Sequence, residues 1–477
     1  MAGIRSFGAY IPKYRLTKDT KGWGFPGEKA VANFDEDSLT MAVAAGLDCL
    51  KGVDRATVDG LIFATTTAPY GEKQSAATIA AALDLRSDIS STDLTDVLRA
   101  GASALRVALD SVNSGSARNV LVIASDMRQA PPKSDSDRSI GDAAAAILIS
   151  KDNLIAEAEG AHSLSEHMVD TWRPTGDPFV HTGEDRFISD EGYHRVMKAA
   201  VDAALKKQGL TPKDISRAAY SSGNARAHAD MARRWGLEPG QVQDPLYGKV
   251  GATGTAMPLL ILAGALEDLG PGQRILVAAY GDGADVLMFK TTPTIAAKQP
   301  ARRGIKGHLE SKDTIADYDA MLQWRQLLGK EAARRPNPQP ISIQAAWRDR
   351  DAILRLYGGK CECGRIAWPP QRICPFCRAQ DKTVSVRLAE TPAEIYTYSM
   401  DYVGGNPDVP TVIGILNFQG GGRMLTQVTD RVVSQVRIGL PLEMTFRKIG
   451  TIEGIHNYFW KGMPIRNAEK AAATGKP

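Results

Sequence analysis

Runs of apolar residues alternate with helical stretches over the first two thirds of the chain. Four of these runs have the length and composition of buried strands: Gly60–Thr65, Asn119–Ser125, Ala144–Ile149 and Arg274–Tyr280. Helical patterns rich in small residues separate them. An alternation of this kind predicts a layered α/β fold over residues 1–292.

Two segments of residues 1–292 repeat the same order of elements. In the first, a helix begins at Ala100-Gly-Ala-Ser-Ala and is followed by a strand that runs to Asp126. In the second, a helix begins at Ala252-Thr-Gly-Thr-Ala and is followed by a strand that runs to Gly281. A lag of roughly 150 residues is far longer than a solenoid period, so it indicates two duplicated half-domains. Small residues at both helix starts predict a close approach of backbone to backbone.

The last third of the chain has a different pattern. Residues 293–340 are predicted to be a connector, with a helix over Tyr318–Arg325 and a proline-rich break at Arg335–Pro340. A helical stretch and a group of cysteines follow in residues 341–383. Residues 469–477 are predicted to form a disordered tail. Between these segments, short β runs with turn signals predict a small β-barrel over residues 384–468: Ile395–Tyr398, Thr411–Phe418, Arg423–Val428 and Leu442–Phe446.

The amino-acid composition of the chain limits the classes of function that we expect. The chain has 477 residues, 23% of them charged, and a formal net charge of +4. This small excess favours an anionic small ligand over a nucleic-acid partner. No apolar run is long enough to span a membrane, and the N-terminus lacks the pattern of a signal peptide. We therefore expect a cytoplasmic protein with neither a membrane nor a nucleic-acid partner.

Four of the five cysteines lie close together, at Cys361, Cys363, Cys374 and Cys377. In a reducing compartment, two close pairs favour a tetrahedral structural zinc ion over disulfides. A metal-free ribbon is the alternative, because Cys361 and Cys363 are separated by only one residue. The fifth, Cys49, lies in a helical pattern and is predicted to be a small buried residue.

The segment from Asp93 to Leu105 resembles the nucleophile turn of 3-hydroxy-3-methylglutaryl-CoA (HMG-CoA) synthases, with Leu98 where that family has its cysteine. Further segments resemble the same family in the same order: Thr65–Tyr70, Asp170–Arg173, Phe179–Phe187 and Tyr280–Ala284. The resemblance implies the fold of the thiolase superfamily, a duplicated α/β/α/β/α domain with its active site between the halves. It also implies a homodimer, with Asn119–Ser125 as the expected contact strand.

The departures from that family concern its catalytic groups. Thr66 stands where the resemblance places the glutamate base, and Ser221 where it places the histidine. Lys249 stands where it places the oxyanion-binding asparagine. Because Leu98 cannot attack a thioester, covalent catalysis by an acyl-enzyme has no cysteine to use.

The C-terminal part resembles a rubredoxin-like zinc ribbon joined to an OB-fold, a pair that accompanies acyl-CoA enzymes of the thiolase superfamily. Segments around the four cysteines carry this resemblance: Tyr357–Cys361, Cys363-Gly364, Trp368–Arg372 and Cys374–Cys377. The resemblance implies a role in holding an acyl-CoA substrate.

Several side chains are candidates for acid–base work: Tyr247, Lys249, Asp96, Ser221, His181 and His228. Tyr247 and Lys249 are the preferred pair, and Asp126 is predicted to be a structural cap at a strand end. The main hypothesis is an aldolase or retro-aldolase that acts on a 3-hydroxyacyl-CoA. This reaction needs one group that accepts a proton and another that donates a hydrogen bond to the enolate. The alternatives are an HMG-CoA-synthase-like acyltransferase or condensing enzyme and a non-catalytic acyl-CoA-binding scaffold.

Overall fold

The computed structural model describes residues 1–297, 302–329, 342–403 and 407–466. The predicted break at Arg335–Pro340 and the predicted tail at 469–477 lie outside these residues. The chain divides into two compact units. The first consists of Met1–Ala32, Asp37–Ala80 and Leu85–Tyr318, and the second consists of Asn33–Glu36, Ala81–Asp84 and Asp319–Pro477. The boundary at Tyr318 falls inside the stretch predicted as a connector.

The first unit contains fourteen strands among its described residues: β1 (Gly3–Tyr10), β2 (Tyr14–Leu16), β3 (Lys29–Val31), β4 (Gly60–Ala64), β5 (Ser90–Leu94), β6 (Val120–Asp126), β7 (Ala143–Ser150), β8 (Ala156–Ser165), β9 (Thr171–Trp172), β10 (His181–Thr182), β11 (Arg217–Tyr220), β12 (Arg274–Tyr280), β13 (Gly283–Thr291) and β14 (Asp313–Thr314). The helices that begin in it are α1 (Ser38–Cys49), α2 (Ser75–Ala82), α3 (Ala100–Ser114), α4 (Asp135–Ser139), α5 (Asp185–Phe187), α6 (Arg195–Gln208), α7 (Ala225–Trp235), α8 (Met257–Asp268), α9 (Gly304–Glu310) and α10 (Tyr318–Trp324).

Nine of these strands form one mixed sheet in the order β11-β12-β13-β8-β1-β7-β6-β4-β5. In one half, β1–β7 and β7–β6 are antiparallel and β6–β4 are parallel. The other half repeats this pattern, with β8–β13 and β13–β12 antiparallel and β12–β11 parallel. The halves join where β1 pairs with β8. The predicted duplication is therefore confirmed.

The helix starts of the two halves approach each other closely, as the small residues predicted. Helix α3 begins at Ala100, and a 3-10 turn at Gly254–Ala256 leads into α8. A Cβ atom on Gly101 would lie only 2.4 Å from the carbonyl oxygen of Thr255. Only glycine fits at this position, because any side chain would collide with that backbone.

One prediction about the sheet is wrong. The strand predicted to pair across a dimer axis is β6, but β6 lies between β7 and β4, so both of its edges already carry hydrogen bonds. The end of the sheet on this side is β5, whose residues are partly exposed. An edge strand of this kind has unpaired backbone groups on one side.

The second unit contains α11 (Ile343–Arg348), α12 (Arg350–Ile353) and two groups of strands. The first group, β15 (Tyr357–Cys361), β16 (Ile366–Ala367) and β17 (Thr383–Arg387), forms a small sheet in the order β16-β15-β17. The second group closes into a barrel in the order β18-β19-β20-β22-β21: β18 (Ala393–Asp401), β19 (Thr411–Phe418), β20 (Arg423–Val428), β21 (Pro441–Ile452) and β22 (Ile455–Pro464). The predicted ribbon and the predicted small OB-type barrel are both present, and the barrel has five strands. No helix among the described residues is long and apolar enough to cross a membrane.

A buried cluster of charges lies in the second unit. The guanidinium of Arg447 on β21 is 3.1 Å from Asp35, 2.9 Å from Glu36 and 2.8 Å from Asp430. The amine of Lys461 on β22 is 3.0 Å from Asp35. The side chains of all five residues are at most 2% exposed. The segment Asn33–Glu36, remote in sequence, therefore supplies two of the three carboxylates of this cluster, and Asp430 supplies the third.

Replacing Arg447 with methionine is expected to lower the free energy of unfolding by about 3–5 kcal/mol, because three buried carboxylates would lose their shared cation. Denaturant unfolding measures the change. The control is Arg423→Met on β20, an exposed arginine that stacks on Tyr396, for which about 0–1 kcal/mol is expected. Equal effects of the two substitutions would contradict a structural role for the cluster.

Candidate functional site

Leu98 lies in the turn between β5 and α3, where the resemblance places a nucleophile. The turn packs against Gly281, which connects β12 and β13 in the other half of the sheet. A Cβ atom on Gly281 would lie 3.2 Å from the backbone nitrogen of Leu98 and 3.1 Å from Val97 Cγ2. The two halves of the sheet therefore meet at this turn. The side chain at the position of the expected nucleophile, that of Leu98, is a hydrocarbon.

The first unit offers one thiol, that of Cys49, and it is inert. Cys49 is the last residue of α1 and is fully buried. Its Sγ lies 3.3 Å from the hydroxyl of Ser6, and burial raises its pKa to about 11. A buried thiol with a raised pKa forms no thiolate at neutral pH. The prediction of a small buried residue is confirmed, and the four other cysteines lie in the second unit.

Asp126 joins three segments at the end of β6. Its Oδ1 accepts from Thr65 Oγ1 at 3.0 Å, from the amide of Thr66 at 2.7 Å and from Thr67 Oγ1 at 3.1 Å. Its Oδ2 accepts from Thr66 Oγ1 at 3.0 Å and from the amide and hydroxyl of Thr255 at 2.8 and 3.0 Å. This confirms Asp126 as a structural residue. It also shows that Thr66 is a hydrogen-bond donor to Asp126.

Tyr247 brings a phenol to the loop at Ser221–Asn224. Its hydroxyl donates to the carbonyl oxygen of Ser222 at 2.5 Å and lies 2.9 Å from Ser222 Oγ. Ser222 Oγ in turn donates to the carbonyl oxygen of Asn224 at 2.8 Å. Burial raises the pKa of Tyr247. The phenol therefore stays protonated at neutral pH. Its single proton is donated to Ser222 in this structure, beside the position where the resemblance places a histidine.

Buried aromatic rings hold this loop in place. Tyr193 Oη donates to the carbonyl oxygen of Ser221 at 3.0 Å. The ring of His228 stacks on Tyr220 with centroids 3.8 Å apart, and it meets the ring of Tyr247 edge-on at 6.2 Å. Burial lowers the pKa of His228 to about 4. His228 is therefore neutral at pH 7 and packs as a ring.

The other sequence candidates are dispersed. Lys249 is about half exposed, and its amine is held by Asp244 at 2.5 Å. Asp96 is exposed with φ +77° and accepts from the neighbouring Thr95. Ser221 is buried, and its Oγ accepts the amide of Tyr280 at 3.3 Å. The structure thus brings Ser221 and Tyr247 to one loop, while Lys249 and Asp96 face solvent.

His181 belongs to a second chain of contacts. Its Nε2 lies 2.8 Å from Asp177 Oδ2, and its ring stacks on Trp172. The guanidinium of Arg173 donates to the carbonyl oxygens of Asp177 and Thr66 at 3.3 and 2.7 Å. His181 is therefore linked through Asp177 and Arg173 to the loop at Thr65–Thr67. Sequence reasoning did not anticipate this link, since the residues that form it are about 110 positions apart.

The four cysteine sulfurs of the second unit lie within 4.8 Å of one another. Cys361 Sγ is 3.6 Å from Cys377 Sγ, and Cys363 Sγ is 3.8 Å from Cys374 Sγ. Ligands about 2.3 Å from a tetrahedral zinc ion are separated by about 3.8 Å, so the donor set fits such an ion. Backbone amides of Cys377 and Phe376 lower the pKa of Cys374 to about 6, which favours the thiolate that a metal requires.

Comparison with known proteins agrees with this geometry. Residues 205–287 match the family model of the C-terminal part of 3-oxoacyl-[acyl-carrier-protein] synthase III, and residues 386–447 match that of the C-terminal OB-fold domain of ChsH2. A crystal structure of HMG-CoA synthase complexed with CoA superimposes with a TM-score of 0.61 at 18% identity, over 70% of this chain and 91% of the other. A 3-oxoacyl-[acyl-carrier-protein] synthase III from Aquifex aeolicus superimposes with a TM-score of 0.55 at 21% identity, over 61% and 100%.

The chain is also similar in sequence to hydroxymethylglutaryl-CoA synthases. The chain is 30% identical over 342 residues to the hydroxymethylglutaryl-CoA synthase of Methanocaldococcus jannaschii, covering 68% of this chain and 99% of the relative. It is 32% identical over 341 residues to that of Aeropyrum pernix, covering 68% and 94%. These similarities in sequence and fold define an enzyme of the thiolase superfamily, related to condensing enzymes. Within that class, the chain belongs to the hydroxymethylglutaryl-CoA synthase family.

Proposed function

We propose that the first unit makes or breaks a carbon–carbon bond beside the carbonyl of an acyl-CoA, without an acyl-enzyme. The reaction is an aldol addition or its reverse, with a 3-hydroxyacyl-CoA as the adduct. The observation that carries the proposal is Leu98 at the nucleophile turn, in a unit whose single thiol is buried and protonated. The relatives are named hydroxymethylglutaryl-CoA synthases, and hydroxymethylglutaryl-CoA is itself a 3-hydroxyacyl-CoA.

Two side chains receive roles in this proposal. Tyr247 turns its hydroxyl from the carbonyl oxygen of Ser222 to the thioester oxygen as the enolate forms, and its raised pKa suits a donor that keeps its proton. His181 accepts the proton of the β-hydroxyl as the carbon–carbon bond breaks and returns it to the α-carbon of the enolate, because Asp177 holds one ring nitrogen and the other is left for a substrate. Proton transfer and enolate stabilisation together replace the covalent step.

A condensing acyltransferase is the second candidate, and the names of the relatives favour it. Such an enzyme would need a nucleophile other than cysteine, and Ser221 or Ser222 would have to supply it. The hydroxyl of Ser222 is next to Tyr247, which is a protonated phenol and not a base. This weakens the acyltransferase relative to the non-covalent enzyme. A non-catalytic acyl-CoA-binding protein is the third candidate.

An acylation experiment distinguishes the three candidate functions. After incubation with acetyl-CoA, the intact protein is expected to show no covalent adduct by mass spectrometry, because no side chain of the site is an activated nucleophile. In D₂O the same mixture is expected to exchange the α-hydrogens of the thioester, which NMR detects. Leu98→Cys serves as the reference for an acylated turn. An adduct mapped to Ser221 or Ser222 would establish the acyltransferase, and binding without exchange would favour the scaffold.

Two further proposals concern the oligomeric state of the protein and its metal ion. We propose a homodimer that pairs through the partly exposed edge strand β5 instead of β6. We also propose that the four cysteines hold one structural zinc ion, since all four sulfurs are used and no coordination position is left open.

A further inference from the structure

Ser222 is a buried serine in the loop between β11 and α7, and its hydroxyl contacts the phenol of Tyr247. The two oxygens, Ser222 Oγ and Tyr247 Oη, lie 2.9 Å apart. Ser222 Oγ donates to the carbonyl oxygen of Asn224 at 2.8 Å, and Tyr247 Oη donates to the carbonyl oxygen of Ser222 at 2.5 Å. A hydroxyl has a single proton, so in this arrangement backbone carbonyls use both protons.

The hydrogen bond from Ser222 to Asn224 can be given up at little cost. The carbonyl oxygen of Asn224 also accepts from the backbone amide of His228 at 3.1 Å, in the first turn of α7. This oxygen therefore keeps a donor when the serine hydroxyl turns away, and no buried acceptor is left unpaired there. Rotation about the Cβ–Oγ bond of Ser222 is enough to direct the proton to Tyr247 Oη, since that oxygen is already within hydrogen-bond distance.

The loop is fixed on both sides of this serine, so the distance between the two hydroxyls is maintained. Before it, the carbonyl oxygen of Ser221 accepts from Tyr193 Oη at 3.0 Å, and the hydroxyl of Ser221 accepts from the amide of Tyr280 at 3.3 Å. After it, Asn224 caps α7, and its side chain accepts from the amide of Ala227 at 2.9 Å. Hydroxyl rotation therefore needs no movement of the backbone.

Tyr247 needs a donor of its own when it acts on a substrate. Donation to a thioester oxygen takes its one proton away from the carbonyl oxygen of Ser222. A phenol that donates to a developing negative charge also becomes a better acceptor, because hydrogen bonds in a chain polarise one another. Of the groups in contact with Tyr247 Oη, Ser222 Oγ carries a proton that it can donate, whereas Met257 Sδ, at 3.7 Å, is a thioether and carries none.

We propose that Ser222 is a positioning residue that acts through Tyr247. As Tyr247 turns its hydroxyl to the thioester oxygen, the hydroxyl of Ser222 turns from Asn224 to Tyr247 Oη and donates to it. No proton passes from one group to the next. The serine strengthens Tyr247 as a donor to the enolate and offsets the loss of the bond to the carbonyl oxygen. The inference rests on the proposed function and adds a residue to its machinery.

A double-mutant cycle tests this role in the D₂O exchange assay with acetyl-CoA. Ser222→Ala is expected to lower kcat for exchange roughly 10-fold with little change in KM, the effect of one hydrogen bond made in the transition state. In the Tyr247→Phe background it should have no further effect, because no phenol oxygen remains to accept. Ser222→Thr keeps a hydroxyl and should restore the rate. The control Ser216→Ala, which removes a hydroxyl that accepts the amide of Arg274, should behave as the wild type.

Two results of the cycle would overturn the proposal. One is a wild-type kcat in Ser222→Ala. The other is a loss in Ser222→Ala that adds in full to the loss in Tyr247→Phe, as expected of a serine that only stabilises the fold. A change in KM alone would likewise assign Ser222 to substrate binding and contradict a role through Tyr247.

A measurement without turnover separates this inference from the proposed function. In protein labelled with ¹³Cζ-tyrosine, NMR identifies the Tyr247 signal by its absence from Tyr247→Phe. That signal should shift in Ser222→Ala, and it should stay in place in Ser222→Thr and in Ser216→Ala. An unchanged signal in Ser222→Ala would overturn the pairing of the two hydroxyls, whatever the reaction. A wild type that shows no exchange, together with a shifted signal in Ser222→Ala, would refute the proposed function and support the pairing.

Discussion

Tyr247→Phe is expected to slow α-hydrogen exchange and turnover roughly 10²- to 10³-fold, the usual cost of removing one donor to a developing oxyanion. The phenol of Tyr247 is hydrogen-bonded to the loop at Ser221–Asn224, and its loss leaves the ring and its packing in place. Affinity for the thioester should stay unchanged, because the donor acts on charge that develops in the transition state. Rates come from NMR in D₂O and affinities from calorimetry.

Tyr220→Phe is the matched control for this experiment. Tyr220 is a buried tyrosine of the same aromatic group, and its hydroxyl donates to the carbonyl oxygen of His228. Its removal should cost stability without a comparable loss of rate. If both variants lose activity equally, Tyr247 has only a structural role, and if Tyr247→Phe keeps the wild-type rate, another group stabilises the enolate.

Cys374→Ser is expected to abolish stoichiometric zinc and to unfold the ribbon. The two cysteine turns belong to a small sheet with little apolar core, so the metal supplies much of its folding free energy. Structural zinc sites in small domains contribute about 10–16 kcal/mol in apparent binding free energy. Elemental analysis should find one zinc per chain in the wild type and less in the variant, with a lower Tm.

Cys49→Ala is the control for the zinc experiment, since it removes a cysteine of the first unit. The Cys49→Ala protein should keep its zinc. Alanine fills this small buried position less well than cysteine, so we expect a somewhat lower stability. A wild-type protein with no zinc and a disulfide among the four cysteines would contradict the metal site. So would a Cys374→Ser protein that keeps both its zinc and its Tm.

Elements whose pattern is local could be predicted from the sequence. Strands β12, β19 and β20 match their predicted bounds, because each is an apolar or alternating run limited by turn residues. Strand β5 was missed because Ser90–Leu94 is polar and lies at the sheet edge, where burial imposes little pattern. The assignment of β6 to a dimer interface failed for a related reason: strand order within a sheet depends on pairing, which a single run does not encode.

Some features of the candidate site could also be predicted from the sequence, and others are visible only in the structure. The absence of a nucleophile at Leu98 is visible in the sequence, because the motif around it is continuous. The Asp126–Thr255 contacts join residues 129 positions apart, so no local sequence pattern could indicate them. Lys249 stays a prediction: its amine is held by Asp244 and is about half exposed, a contact that the sequence pattern did not indicate.

The inclusion of Asn33–Glu36 in the second unit bears on how this gene could change over evolution. A deletion that removed everything after Tyr318 would discard Arg447 and Lys461 but leave Asp35 and Glu36 behind, as acidic residues without their cations. A split into two genes would leave the acids in one polypeptide and the cations in the other. Charge changes on the two sides would then have to arise together, so the buried cluster favours retention of the fused gene.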